Sequence, residues 1–428
     1  MSDRPSDGWL KVSLADLGNY INGYAFRPED WSERGLPIIR IAQITGTSDD
    51  VDRFDGNLDN SFKVRKGDLI FSWSGTLAVV RWPRGDAWLN QHLFRVEPSA
   101  WVDKGFLFHV LSASVAEMNK RTHGSTMKHI KRGELREYEL FVPQELPEQE
   151  LIAHILDTLD TQIRQTEALI AKLEQIKQGL LTDLLTRGID ENGELRPPPE
   201  EAPHLYQDSV LGMVPRCWSV EPLETFLARR PKNGYSPQEA GEYTGRYMLG
   251  LGCLTKSGFK PRQLKYAPVS DGSLDTARLS DGDLLMSRSN TRELVGLVGV
   301  YRDIGAPCFY PDLMMKLLPA QTTSAEFLEL VLRTPNVRKQ MIAGASGTSG
   351  SMVKLNGATV RKLIVAVPRE AEQLRILTAN CQTETRISGE QEFSEGLMQI
   401  KSALMDDLLT GRIRVTPLLN ETRDQATG

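Results

Sequence analysis

Between residues 146 and 187 the apolar positions step through Ile152, Leu156, Leu159, Ile163, Thr166, Ile170, Leu173, Lys177, Leu180 and Leu184. The steps alternate four and three, a 3.5-residue repeat, and only Thr166 and Lys177 break it. Pro147 suits a first helical turn because its missing N–H is not needed there, and Glu148 and Glu150 suit the positive helix end. The pattern predicts one rod of about 60 Å, with a seam that needs a partner helix. The partner lies later in the chain, between residues 372 and 415. An offset of 224 residues, that of Leu397 from Leu173, also puts Ile400 on Ile176, Lys401 on Lys177, Leu404 on Leu180, Asp407 on Asp183, Leu408 on Leu184 and Leu409 on Leu185. Glu372 and Gln373 fall on Glu148 and Gln149 without a gap. Matching polar positions, Lys on Lys and Asp on Asp, mark a duplication. The second seam is poorer. It carries Asn380, Thr383, Glu390 and Ser394, with Gly389 and Gly396 alongside, and each interior glycine costs about 1 kcal/mol relative to alanine. It is expected to form mainly by packing on the first helix, in antiparallel pairing.

The segments before the two helices repeat as well. Residues 9–142 show short β-rich runs with Gly, Pro and Asp turn signals, then a helical stretch at 104–121. Residues 209–368 follow the same order. Trp218 answers Trp9, Asn233-Gly234-Tyr235 answers Asn22-Gly23-Tyr24, and the run 281–291 (DGDLLMSRSNT) answers 66–76 (KGDLIFSWSGT). A period of a little over 200 residues is a domain duplication, not a solenoid. The fold class expected is therefore α+β: two mixed α/β domains joined by two long antiparallel coiled-coil helices, related by a pseudo-twofold. The boundaries read as 1–142 (first domain), 143–187 (first helix), 188–208 (a Pro- and acid-rich linker, extended at Pro197-Pro198-Pro199), 209–368 (second domain), 369–415 (second helix) and 416–428 (tail).

Composition narrows the chemistry. No apolar run is long enough for a membrane span, and the polar start MSDRPSDGW has no signal core. Cys217, Cys253, Cys308 and Cys381 are scattered, which fits a reducing cytoplasm and offers no metal framework. A net charge of −5 is unlike a simple nucleic-acid binder, but base collects in the domains and acid in the helices and linker. Metalloprotease, P-loop, serine-hydrolase and amino-methylation motifs are missing from the sequence. His92, His109, His123, His129, His154 and His204 show no ligand spacing, and His109 and His154 read as helix core or surface positions. The glycine-rich run at 344–351 reads as a polar loop, because it lacks the strand-before, helix-after setting of a phosphate cradle.

Binding signals are stronger. Basic residues gather at Lys120, Arg121, Lys128, Lys131, Arg132 and Arg136 in the first domain. In the second they gather at Arg229, Arg230 and Lys232, at Lys256, Lys260, Arg262 and Lys265, and at Arg288 and Arg292. Phosphates call for such charges, whereas base edges call for Arg, Asn, Gln, Ser or Thr held in fixed geometry. The candidate DNA contacts are Tyr24, Ser72, Ser74, Thr76, Asn90, Gln91, His92, Lys128 and Lys131 in the first domain. In the second they are Lys232, Tyr235, Ser287, Arg288, Asn290, Thr291, Arg292, Lys316 and Lys354.

Two variable domains, each followed by a long helix marked LPEQELIA with LLTDLLTRGI, and VPREAEQLRI with LMDDLLTGRIRV, resemble the specificity subunit of type I restriction–modification enzymes. The run 208–223 (DSVLGMVPRCWSVEPL) is similar to that family's usual entry into its second domain, and the resemblance extends from about Trp9 to Val415. It implies two target recognition domains, each reading half of a split double-stranded DNA site. It implies helices that set the gap and dock two methyltransferase (modification) subunits, with motor–nuclease (restriction) subunits added. It implies no catalysis, metal or cofactor in this chain, with S-adenosylmethionine, ATP and Mg on the partners. Two alternatives stay open: the same architecture in a methylation-only or other phage-defence assembly, or a coiled-coil scaffold whose end domains bind protein or glycan.

Overall fold

The heptad stretch forms one helix of 41 residues, Leu146–Thr186, and its repeat forms another of 39 residues, Glu370–Leu408. The computed structural model describes residues 8–121, 133–269, 271–347 and 352–420. The chain divides into two compact units. One holds the residues up to Ile170 together with those from Gly389 onward, and the other holds Ala171–Ser388. Each long helix thus gives one half to each unit. In the first unit Glu148 pairs with Arg414 and Asp160 with Lys401, so ascending the first helix means descending the second. In the second unit Lys177 pairs with Glu384, while Leu184 shares a core with Ile376, which is again antiparallel. The heptad positions are the covered ones: Ile152, Leu156, Thr166, Leu173 and Leu184, and Ile376, Asn380, Ile387, Ser394, Leu397 and Leu408. The polar Thr166, Asn380 and Ser394 therefore sit inside the seam, and the Ser394 hydroxyl has no hydrogen-bond partner. An unmet buried hydroxyl costs about 1–3 kcal/mol, which weakens this part of the seam relative to its leucine-rich ends.

The domain of the first unit opens and closes on paired strands: Trp9–Ser13 runs antiparallel to Glu139–Pro143, with Trp9 opposite Pro143. Between them a four-stranded sheet is ordered Gly18–Asn22, Leu93–Pro98, Leu69–Ser72, Ala78–Arg81. The inner strand Leu69–Ser72 is buried at every position. Helix Lys104–Arg121 lays Phe106, Leu107, Val110 and Leu111 on Leu69, Phe71, Phe94 and Val96 of that sheet and on Ile152 and Leu156 of the long helix. A second sheet carries Leu36–Ile39 and Ala87–Leu89 in parallel.

The second unit repeats this plan. Ser219–Pro222 pairs with Ile364–Val367, and its sheet is ordered Lys232–Asn233, Met314–Leu317, Leu284–Ser287, Val298–Val300. The repeat extends to single hydrogen bonds. The Gly23 and Tyr24 amides donate to Leu93 and Leu89, and the Gly234 and Tyr235 amides donate to Met314 and Tyr310. Asp68 accepts from the Arg65 amide as Asp283 accepts from that of Ser280.

The Glu-Gln pair that opens each helix has a definite task. Gln149 donates to the carbonyls of Pro143 and Trp101 and accepts from the Asp103 amide. Gln373 donates to Pro368 and Thr322 and accepts from Ser324. Each glutamine thus ties its domain to its helix. The glutamates are gripped by an arginine from beyond the other helix: Arg414 for Glu148 and Arg196 for Glu372. Arg196 lies in the segment read as a linker. That segment is not a free extended tether, because Ile189, Ala202 and Tyr206 are buried and the Tyr206 hydroxyl donates to the Pro197 carbonyl. It packs as a strap within the second unit. The four cysteines are free thiols. Among the described residues no helix is long and apolar enough to cross a membrane.

Candidate nucleic-acid interface

In the first unit three candidate stretches meet at one end of the four-stranded sheet. Strand Leu69–Ser72 ends opposite Leu93 and releases the turn at 73–77. Tyr24 bridges Asn90, and the Gln91 amide donates to the Tyr24 carbonyl. Gly23 makes this closeness possible, because a Cβ there would stand 2.2 Å from the Asn90 carbonyl oxygen. His92 is exposed, its ring 6.1 Å from that of half-buried Trp73, and Thr76 is exposed beside them. Gln91 is half-buried, and its side-chain oxygen is covered and has no hydrogen-bond partner.

The second unit builds the equivalent corner. Gly234 is pressed on Tyr310, where a Cβ would meet the carbonyl oxygen at 2.1 Å. Tyr235 is exposed, and a hydrogen bond to Asp271 raises the pKa of its phenol. Ser289 and Asn290 pair with Lys354 and Val353, and Lys354, Thr291 and Arg292 are exposed.

Several candidate contacts are buried or already engaged within the protein. Ser72 and Ser287 are fully buried, because they close inner strands paired on both sides, and Ser74 is nearly so. Asn90 is 5 % exposed, and its side-chain oxygen accepts from the His92 amide, shaping the turn rather than facing solvent. Lys316 is bound to Asp283 at 3.0 Å and lies over the Tyr310 ring. Lys232 donates to the Thr276 carbonyl but stays exposed. Lys128 and Lys131 lie outside the described residues, as do Arg132 and residues 348–351 of the glycine-rich run. The surface set is Tyr24, Thr76, Gln91 and His92 in one unit, and Lys232, Tyr235, Arg288, Asn290, Thr291, Arg292 and Lys354 in the other.

Two exposed aromatic features lie outside the candidate set. Exposed Trp31 lies under Arg40 with 5.3 Å to its ring centre. Tyr243, Tyr247 and Tyr266 form an outward cluster, with Tyr247 opposite Tyr266 on paired strands. Tyrosines four and nineteen residues apart give no signal until the pairing of the strands is known.

At the other end of strand Leu69–Ser72, a cleft of about 360 Å³ is lined by Gly67, Arg81, Lys104, Glu150, His154 and Asp157. His109, Asp157 and Asp160 lie close enough to share a cation. Their charges are already matched, however: Arg81 and His109 hold Asp157, and Lys401 holds Asp160. Burial lowers the His109 pKa despite the opposing pull of Asp157 and Asp160, with Arg81 adding to the lowering. The Asp157 carboxyl stays below its usual range, because hydrogen bonds from Arg81 and His109 outweigh its burial. A depressed histidine takes up its proton more readily unfolded than folded, so its stabilising contribution is lost as pH falls below about 6.5. Urea unfolding is expected to show the first unit weakening between pH 7.5 and 5.5, by no more than about 1.4 kcal/mol per pH unit from this group. His109→Gln is expected to flatten that slope, and an unchanged slope would assign the loss to other groups.

Comparison with known proteins agrees with this construction. Residues 6–175 match the family model of the type I restriction modification DNA specificity domain. The chain is 26 % identical over 311 residues to the EcoBI specificity subunit of Escherichia coli, covering 70 % of this chain and 62 % of that protein. It is 24 % identical over 400 residues to the EcoKI specificity subunit of E. coli K12, covering 87 % of this chain and 81 % of that one. Its fold is that of the type I restriction–modification S subunit from M. genitalium, with a TM-score of 0.56 over 96 % of this chain and 98 % of that one, at 15 % identity.

Proposed function

We propose that this chain, whose residues 6–175 belong to the type I restriction modification DNA specificity domain family, is the non-catalytic, sequence-reading subunit of a type I restriction–modification complex. Each unit reads one half of a bipartite double-stranded DNA site through its corner of loops. The long helices fix the gap and dock two methyltransferase subunits, which bring S-adenosylmethionine, while motor–nuclease subunits bring ATP and Mg. The work is done in the cytoplasm, where the chromosome is. The observation that carries this reading is the bond-by-bond repeat of two exposed loop corners on two separate units. Two copies of one reading device held by shared helices suit two short sites at a set distance.

Each exposed Arg or Lys that meets a phosphate releases counterions, so binding is expected to weaken by nearly one power of salt concentration per phosphate neutralised. The deciding experiment expresses the chain with the methyltransferase encoded beside it in a methylation-free host and maps modified adenines. A two-part motif with a fixed gap, modified on both strands, is expected. A soluble, associated pair that leaves no new motif would overturn the reading in favour of a protein- or glycan-binding scaffold. A motif without a nuclease partner would narrow it to a methylation-only assembly.

A further inference from the structure

The two corners share a backbone but differ in chemistry at one position. Ser72 and Ser287 end equivalent strands opposite Leu93 and Met314. The next residue is Trp73 in the first unit and Arg288 in the second. Trp73 lies among rings, 5.8 Å from Phe94 and 6.1 Å from His92. Arg288 is fixed at its root from two sides: its amide donates to the Leu313 carbonyl, and its own carbonyl accepts from the Leu355 amide, each at 2.8 Å. Its guanidinium donates a single long bond, 3.3 Å, to the Asp312 carbonyl. Among the described residues no carboxylate pairs with it. Four other arginines of this unit are committed, whereas exposed Arg229, Arg230, Arg262 and Arg292 pair with no carboxylate among the described residues. Arg302, Arg333 and Arg361 pair with Asp281, Glu329 and Glu224, and Arg338 donates to the carbonyls of Val295 and Glu293.

An arginine held at its base and open at its tip retains most of its five N–H donors in a planar fork. That fork matches the N7 and O6 acceptors of guanine in the major groove. Its neighbours suit other tasks. The Asn290 side-chain oxygen is occupied by the Thr291 amide, and exposed Arg292 and Lys354 offer point charge for phosphates. We propose that Arg288 is the base-reading residue of the second unit, donating two bonds to one guanine of its half-site. The first unit has no counterpart, because Trp73 occupies that place. The inference rests on the function proposed above and adds which base is read, by which atoms, in which half.

The test maps adenine methylation by the full complex in cells carrying a library of half-site variants, for the wild type and for Arg288→Ala, Arg288→Lys and Arg292→Ala. The wild type is expected to require a guanine at one position of one half. Arg288→Ala is expected to reduce discrimination at that position by about 5- to 150-fold, the worth of a bidentate pair, and to leave the other half unchanged. Arg288→Lys, with charge but no fork, is not expected to restore it. Arg292→Ala is expected to lower methylation evenly over all sequences. Arg288→Ala retaining full discrimination would overturn the inference, and so would an even loss without a change in base preference. If Arg288→Ala does not co-purify with the methyltransferase, Arg288→Lys decides: full discrimination there overturns the inference. A wild type without a bipartite motif would instead defeat the proposed function itself.

Discussion

Replacing Glu372 by alanine is expected to destabilise the second unit by about 3–5 kcal/mol, the cost of leaving a buried ionic partner alone. The carboxylate is 5 % exposed and collects four donors. Both Arg196 Nη atoms reach it, the Trp218 indole N–H donates at 3.0 Å, and the Ile189 amide donates at 3.1 Å. Alanine strands all of them, and Arg196 is itself largely covered. Glu372→Gln keeps the accepting oxygen and loses the charge, so a smaller loss is expected. The equivalent Glu148 meets Arg414 through Nε and Nη2, but Arg414 is 28 % exposed, and the buried indole N–H of Trp9, the counterpart of Trp218, reaches no acceptor among the described residues. Glu148→Ala is therefore expected to cost less. Hydrogen exchange gives the reading with an internal control. In Glu372→Ala the amides of Leu284–Ser287 should lose protection by roughly a hundredfold or more, while those of Leu69–Ser72 keep theirs. Equal protection in both strands would show that Arg196 finds another acceptor and that the strap is not held by this carboxylate.

That carboxylate also marks where the sequence stops being readable. The 3.5-residue seam is a local pattern, so both helices and their pairing follow from spacing alone. The duplication is likewise visible, because Lys177 and Lys401, or Glu148 and Glu372, recur at one offset. The grip of Arg196 on Glu372 spans 176 residues and has no periodicity to betray it. Residues 188–208 looked like a tether because proline and acid dominate their composition, yet three apolar side chains suffice to pin them. The loop corners were located through the repeated Asn-Gly-Tyr and the Ser-rich turns. Which of their side chains face solvent was not legible, since a serine ending an inner strand and one in an exposed turn have the same letter. Ser72 and Ser287 are buried rather than exposed for that reason. The pairing of Lys316 was equally hidden, because Asp283, 33 residues away, is placed beside it only once the strands pair.

Exchanging residues 18–99 for those of a relative's first domain is expected to replace one half of the recognised motif entirely and to leave the other half and the gap unaltered. The bounds follow from the packing. Tyr24, Thr76, Gln91 and His92 all lie inside them. The paired strands Trp9–Ser13 and Glu139–Pro143 lie outside, so the graft hangs from the same two ends. The Gln149 latch also survives, because its partners at Trp101, Asp103 and Pro143 are retained. What the graft must supply is the underside of the sheet, where Leu69, Phe71, Phe94 and Val96 meet Phe106, Leu107 and Val110. A donor that replaces one of these large side chains by alanine would lose about 2–5 kcal/mol and assemble poorly, which co-purification with the methyltransferase would reveal. Among chimeras that do assemble, methylation mapping decides. A change in both halves would contradict the assignment of one half to each unit. A changed gap would mean that the domain, and not the helix pair, sets the distance, since nothing in residues 18–99 belongs to either long helix.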